Sequence, residues 1–160
     1  YLGGKGANQA VAAKRMGADV TMVGCVGNDI FGDDFVKTFT EEGFDTQYIK
    51  RTSNARTGCS LVTLETNGQN RICMTPGANL EFSPDDLYAL ESLVEKANIV
   101  VTQCEMRPEI VDELAKLCTK HNKKFAESCS CPHVQGRNAC GVLRNIAQRN
   151  GTGGNSGSHA

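Results

Sequence analysis

Gly3-Gly4-Lys5-Gly6-Ala7-Asn8-Gln9-Ala10 is the stretch from which the rest of the chain can be read. Glycines at this density let backbone amides approach a ligand closely, and a helix starting here points its N-terminal amides at oxygen-rich or anionic groups. Lys5 adds a cationic donor, and Asn8 a carboxamide that can fork onto vicinal hydroxyls. The string is neither the Walker A pattern G-x-x-x-x-G-K-[ST] nor G-x-G-x-x-G. Taken alone it is a Gly-rich turn. Asn8 to Met16 continues with Ala-rich helix formers, and Gly17 suits the position after the helix end.

Working outward, element types alternate. Val20–Val26 is a β-branched apolar run ending at the turn cluster Gly27-Asn28-Asp29. Phe31, Phe35, Val36 and Phe39 recur at helical spacing before Gly43. Cys59–Leu64 and Arg71–Met74 are strand-like runs flanking Thr66-Asn67-Gly68-Gln69, a hairpin signal. Ser83-Pro84-Asp85-Asp86 starts a helix with a cap, a proline at the first position and acids in the first turn, and Leu87, Leu90, Val94 and Ala97 form its apolar face. Ile99–Val101 predicts a short buried strand, Pro108–Cys118 a helix, and Lys124-Phe125 the start of another strand. Helix and strand alternating around one hairpin predict an α/β sheet with a β excursion. Gln103-Cys104-Glu105 follows the predicted strand directly, and ligands in α/β sheets bind outside the carboxyl ends of strands. Glu105 therefore stands where an acceptor for sugar hydroxyls would sit; alone, it reads as an exposed loop acid.

Composition bounds the function. The 160 residues are 39 % hydrophobic and 22 % charged with a net charge of −1, so no global field recruits nucleic acid or an anionic membrane. No apolar stretch approaches the roughly 20 residues that span a bilayer. Eight cysteines invite a disulfide or zinc reading. Their spacing opposes both: Cys25, Cys59, Cys73, Cys104 and Cys118 lie singly, mostly in apolar runs, where Cys behaves as a small hydrophobe. The close pair Cys129-Ser130-Cys131, with His133 and Cys140, lacks the two half-sites of a zinc centre. Reduced thiols and no metal site are the expectation. Charge is uneven as well. All 18 acidic residues lie at or before Glu127, and the last 28 residues hold neither acid nor aromatic. Such a segment is too poor in apolar residues to order itself.

Gly3-Gly4-Lys5-Gly6-Ala7-Asn8-Gln9-Ala10, with Ala12-Ala13, resembles the first signature of the ribokinase (PfkB-type) family of sugar kinases. The resemblance continues through Met22-Val23-Gly24-Cys25-Val26-Gly27-Asn28-Asp29-Ile30-Phe31-Gly32, Thr57-Gly58-Cys59-Ser60, Asn67-Gly68-Gln69-Asn70, Pro76-Gly77-Ala78-Asn79 and Gln103-Cys104-Glu105, covering about residues 2–126 in order. It implies a ribokinase-like three-layer αβα sandwich with a small β-sheet lid, incomplete in this chain, with lid strands within about 44–76. It implies ATP-dependent phosphorylation of D-ribose at its 5-hydroxyl, with ATP, Mg²⁺ and a monovalent cation such as K⁺ as cofactors. Gly4, Lys5, Gly6, Ala7, Asn8 and Glu105 would bind the sugar. The lid would close over it and exclude water. Other family sugars or nucleosides stay open as substrates, as does a catalytically dead isoform that only binds sugar or pairs with a second copy through the lid. A cytoplasmic location is expected, or the nucleus in a eukaryote.

Several family motifs are missing. Gly-Ala-Gly-Asp, whose amides form the anion hole and whose Asp is the base, does not occur, nor does the early strand with its Asn-x-Asp contact. No catalytic base and no nucleotide-binding residue is therefore assigned. Where Asn-Pro-Ala-Pro-Ala is due, the chain reads Glu127-Ser128-Cys129-Ser130-Cys131. Codons GAA-TCC-TGC-TCC-TGC, read one nucleotide later, encode Asn-Pro-Ala-Pro-Ala. Gln148-Arg149-Asn150-Gly151, treated alike, becomes Asn-Glu-Thr-Glu, the family's nucleotide-side motif. A reading-frame slip near Ala126 accounts for both. The expected division is a partial kinase domain over 1–126 and a non-homologous, disordered tail over 127–160, and the chain by itself is expected to be inactive.

Overall fold

The computed structural model describes residues 2–128, so the expected tail lies outside the described residues apart from Glu127 and Ser128. In chain order the elements are α1 (Lys5–Arg15), β1 (Gly24–Gly27), α2 (Ile30–Glu41), β2 (Ile49–Thr52), β3 (Cys59–Leu64), β4 (Asn70–Thr75), a 3₁₀ turn (Gly77–Glu81), α3 (Pro84–Ala89), α4 (Glu91–Lys96), β5 (Ile99–Gln103), α5 (Pro108–Lys120) and β6 (Lys124–Ser128). Among the described residues the strands form three two-stranded sheets: parallel β1–β2, antiparallel β3–β4 and parallel β5–β6. The two parallel pairs are βαβ units whose crossovers are α2 and α5, as parallel strands require.

Two apolar clusters flank these pairs. On one side α3, α4 and α5 pack against Cys25 of β1 and Phe125 of β6, with Ile110, Leu114 and Leu117 of α5 at the centre. On the other, Ala7 and Ala10 of α1 meet Phe39 of α2 and Phe44, with Val20 and Met22 packed alongside. Val23 joins the first cluster while Met22 joins the second, the period of two that sends successive side chains to opposite faces. Helices therefore lie on both faces of the segment that leads into β1, as in the three-layer α/β arrangement that the resemblance implies. Phe35 and Phe39 stack at 4.5 Å and Phe39 meets Phe44 at 4.7 Å, so one aromatic column ties α2 to the loop after it.

Local signals explain most boundaries. Ser83 accepts from the Asp86 amide while Asp86 reaches back to the Ser83 amide, a complete capping box with Pro84 in the first turn. Asp29 caps α2 by accepting from the Gly32 amide at 2.9 Å. Gly17 and Gly43 take positive φ just beyond α1 and α2. At the hairpin tip the Gly68 amide donates to Glu65 O and the Glu65 amide to Gln69 O, with Gly68 at φ 84°: a type I turn closed by a glycine bulge.

The differences from expectation are informative. β1 is shorter than Val20–Val26, because its ladder with β2 begins only at Gly24, and Val20 and Met22 serve the helical cluster instead. β2 has no apolar run to announce it: Lys50 is used to reach Asp86 and Glu81 O, and Arg51 to reach Asp33. The helix expected over residues 84–97 breaks at Leu90 (φ −104°, ψ 11°), and the resulting α3 and α4 each keep one core residue, Leu87 and Val94. Phe31 is 57 % exposed, off the Phe35–Phe39 column. β5 is not fully buried either. Ile99 and Val101 are 53 % and 52 % exposed, because among the described residues no element covers the face they share. Of the cysteines, Cys25 and Cys118 are buried, which raises both thiol pKa values, whereas Cys59, Cys73 and Cys104 are exposed and do not act as small core hydrophobes.

Candidate functional site

The Gly-rich string becomes the entry to α1. Gly4 is its N-cap at φ 106°, a conformation that a residue with a Cβ rarely adopts, and among the described residues no side chain caps the helix. The first turn thus keeps amide donors for a ligand. Gly4 O accepts the Asn8 amide at 2.9 Å, so the helix begins three residues earlier than the Ala-rich pattern indicates.

α1 packs across the carboxyl end of β5, and this joins the two candidate regions. Lys5 Nζ forms an ion pair with Glu105 Oε1, both side chains partly exposed, across 100 residues of chain. Gly6 faces Gln103: a Cβ at Gly6 would sit 3.4 Å from Gln103 Cγ, in van der Waals contact with it. Gln103 Nε2 donates to Gln9 Oε1, fixing the second turn of α1 on the same strand end. Among the described residues Gln103 Oε1 is buried with no hydrogen-bond partner. Lys5, Gly6, Gln103 and Glu105 therefore form one constellation: an ammonium, a carboxylate and uncapped helix amides, which together can donate to and accept from neighbouring hydroxyls.

The other two candidates lie differently. The methyl of Ala7 is buried in the α1–α2 cluster, so only its backbone can face a ligand. Asn8 is exposed and lines an apolar cleft of about 400 Å³ between α1 and α2, with Leu2, Gly3, Val11 and Phe39. Among the described residues no group of three or more His, Cys, Asp or Glu could hold a metal ion.

A second cluster escaped sequence reasoning. Asp29 accepts from the Thr57 amide (2.8 Å), the Thr57 hydroxyl (2.7 Å) and the Gly32 amide, while the Gly27 amide donates to Thr57 Oγ1 at 2.9 Å. These bonds hold its carboxyl at about 2, led by the Thr57 amide and then the Gly32 amide. Thr57-Gly58 leads straight into β3, so Asp29 latches the root of the hairpin to the start of α2. Backbones are crowded here: a Cβ on Gly27, Gly32, Gly58 or Gly77 would lie under 3.0 Å from backbone atoms. The advance signal was Gly27 and Gly32 around Asp29 and Gly58 after Thr57. The partnership between them spans 28 residues and is invisible to local pattern.

A family profile described as pfkB family carbohydrate kinase matches residues 1–148. Ribokinase of Bacillus subtilis (strain 168) is 41% identical over 122 residues, covering 75% of this chain and 41% of that protein. Ribokinase of Mus musculus is 38% identical over 107 residues, covering 67% of this chain and 33% of that protein. Among solved structures, ribokinase from Giardia lamblia has a TM-score of 0.72 at 30% identity, covering 83% of this chain and 42% of its own. Arabidopsis thaliana ribokinase complexed with ribose and ATP has a TM-score of 0.69 at 30% identity, covering 78% and 41%. The chain thus spans between a third and about two fifths of the length of these relatives, and the profile match over most of its residues, together with the ribokinase fold, shows that it belongs to the pfkB family of carbohydrate kinases.

Proposed function

We propose that the chain carries the sugar-binding part of an ATP-dependent kinase that phosphorylates D-ribose at its 5-hydroxyl. The supporting observation is the meeting of Lys5 and Glu105 where the uncapped start of α1 crosses the carboxyl end of β5. Glu105 accepts from ribose hydroxyls, Lys5 donates to a ribose oxygen, and the amides of Gly4, Gly6 and Ala7 with the Asn8 carboxamide supply further donors. In this reading the ion pair holds both side chains in place before sugar arrives, which lowers the cost of ordering them on binding.

ATP, with Mg²⁺ and a monovalent cation such as K⁺, supplies the phosphoryl group in this reading. Gly-Ala-Gly-Asp does not occur in the sequence, so in this reading no residue here is assigned as the base or to the anion hole. The expected behaviour of this chain is sugar binding without turnover. Titration calorimetry with D-ribose tests it, with Glu105→Gln expected to weaken binding about 10- to 100-fold, the worth of a hydrogen bond to a charged group. Unchanged affinity in Glu105→Gln would remove Glu105 from the site. A panel with fructose, 2-deoxyribose and a nucleoside then fixes the substrate. Fructokinase from Xylella fastidiosa, at TM-score 0.73 and 27% identity, makes fructose the competitor to include.

The hairpin supports a partner proposal. Val62, Leu64, Ile72 and Met74 are all exposed and share one face of β3–β4, an apolar surface that fits the same face of a second copy. Sedimentation should show a dimer that Val62→Glu dissociates. A cytoplasmic location, a division at residue 126 and a frame slip beyond it belong to the same proposal. Transcript sequence across the Ala126 codon tests the last two.

A further inference from the structure

Cys59 and Cys73 stand 14 residues apart in the sequence, a spacing that suggests no site. The register of the hairpin brings them together. Cys59 is paired with Thr75 and Leu61 with Cys73. Directly opposed residues share a face, and so do alternate residues along a strand, which makes Cys59 and Cys73 diagonal neighbours on the face opposite Val62 and Ile72. Both thiols are free and exposed.

The separation decides what the pair can do. Diagonal neighbours in an antiparallel pair lie about 7 Å apart, somewhat less between Cβ atoms, whereas a disulfide needs Cβ atoms about 3.5–4.5 Å apart. A direct S–S bond would require the strands to move. One ion between the sulfurs asks for less approach than an S–S bond, since two metal–thiolate bonds of about 2.3 Å let the sulfurs stand about 4.6 Å apart. The described residues bring no third His, Cys, Asp or Glu to the pair, so the four-ligand shell of a structural zinc site is not assembled. Two thiolates alone select a soft ion.

We propose that Cys59 and Cys73 form a two-thiolate site for one soft monovalent metal ion of the Cu(I) class, bridging β3 to β4. On binding, two S–H protons pass to solvent, two S–metal bonds form and no electron is transferred. The bridge lies at the end of the hairpin that joins Gly58 and Pro76, so it staples the two strands where they leave the body of the protein. The proposal is independent of the sugar reading.

The test is anaerobic transfer of Cu(I) from a chromophoric chelator to the full chain, with Cys104, Cys129, Cys131 and Cys140 changed to Ser to remove competing thiols. The expected uptake is one equivalent, falling to none in Cys59→Ser and in Cys73→Ser. A further variant, Cys73→Ser with Met74→Cys, keeps two exposed thiols in the hairpin but puts them on opposite faces. It should also bind none, while circular dichroism shows the parent fold. No uptake by the parent, or equal uptake by the parent and the opposite-face variant, overturns the proposal.

Discussion

The hairpin β3–β4 and the parallel pair β5–β6 are both two-stranded, but they are held in opposite ways. β5–β6 is joined by α5, which lays Ile110, Leu114 and Leu117 against Phe125 and keeps Ile110 1 % exposed. Among the described residues no helix covers either face of β3–β4, and all twelve of its strand residues are exposed. Its order comes from a turn at one end and crowded glycines with the Asp29–Thr57 latch at the other. An isolated two-stranded hairpin is marginal in water, so this element depends on its root and on whatever covers its faces. Burial stabilises one region, and backbone geometry with a few polar contacts positions the other.

Substitutions can break or sharpen that contrast. The largest loss is expected for Ile110→Ala, about 2–5 kcal/mol of unfolding free energy by urea titration, because it opens a cavity in the α3–α5 cluster. Gly77→Ala comes next, at about 1–3 kcal/mol: φ is 49° there, and a Cβ would lie 2.3 Å from Arg56 O. Hydrogen exchange should then accelerate in β3 and β4 more than in β5 and β6. Ser83→Ala, which removes the capping box of α3, should cost about 1 kcal/mol. Smallest is Val62→Ala, within about 0.5 kcal/mol in the dissociated chain. A loss in Val62→Ala rivalling that in Ile110→Ala would show that the hairpin is packed after all.

The latch also has a pH signature. The Asp29 pKa is depressed in the folded chain from an ordinary 3.8 to about 2. Its contribution is therefore fully present above about pH 4 and is lost as pH falls through about 2, where the folded state takes up the proton that the unfolded state already holds. Asp29→Asn should lower stability at neutral pH and flatten the acid limb between pH 4 and 2, as monitored by acid unfolding. An acid limb identical to that of the parent would leave the latch without energetic weight.

Legibility in the sequence followed the range of the interaction. The α3 cap, the hairpin tip and the first helix could be read because Ser83, Asp86, Gly68 and Gly17 act within a few residues of themselves. β2 could not, since Lys50 and Arg51 are spent on Asp86 and Asp33, 36 and 18 residues away. The exposure of Ile99 and Val101 was equally hidden, because an apolar run does not say which of its faces another element covers. Lys5 and Glu105 were candidates for one site on chemistry and resemblance alone, and the sequence held no evidence that they touch.

The sequence by itself determined the alternation of elements, the family and the residue types available at the candidate site, because these depend on periodicity, turn chemistry and a specific string of glycines. Only the tertiary structure decided which of those residues meet. It brought Lys5 to Glu105, turned Ala7 into the core, locked Asp29 onto Thr57 and put Cys59 and Cys73 on one face. Each of these follows from strand register or helix packing, and both are set by contacts far apart in the chain.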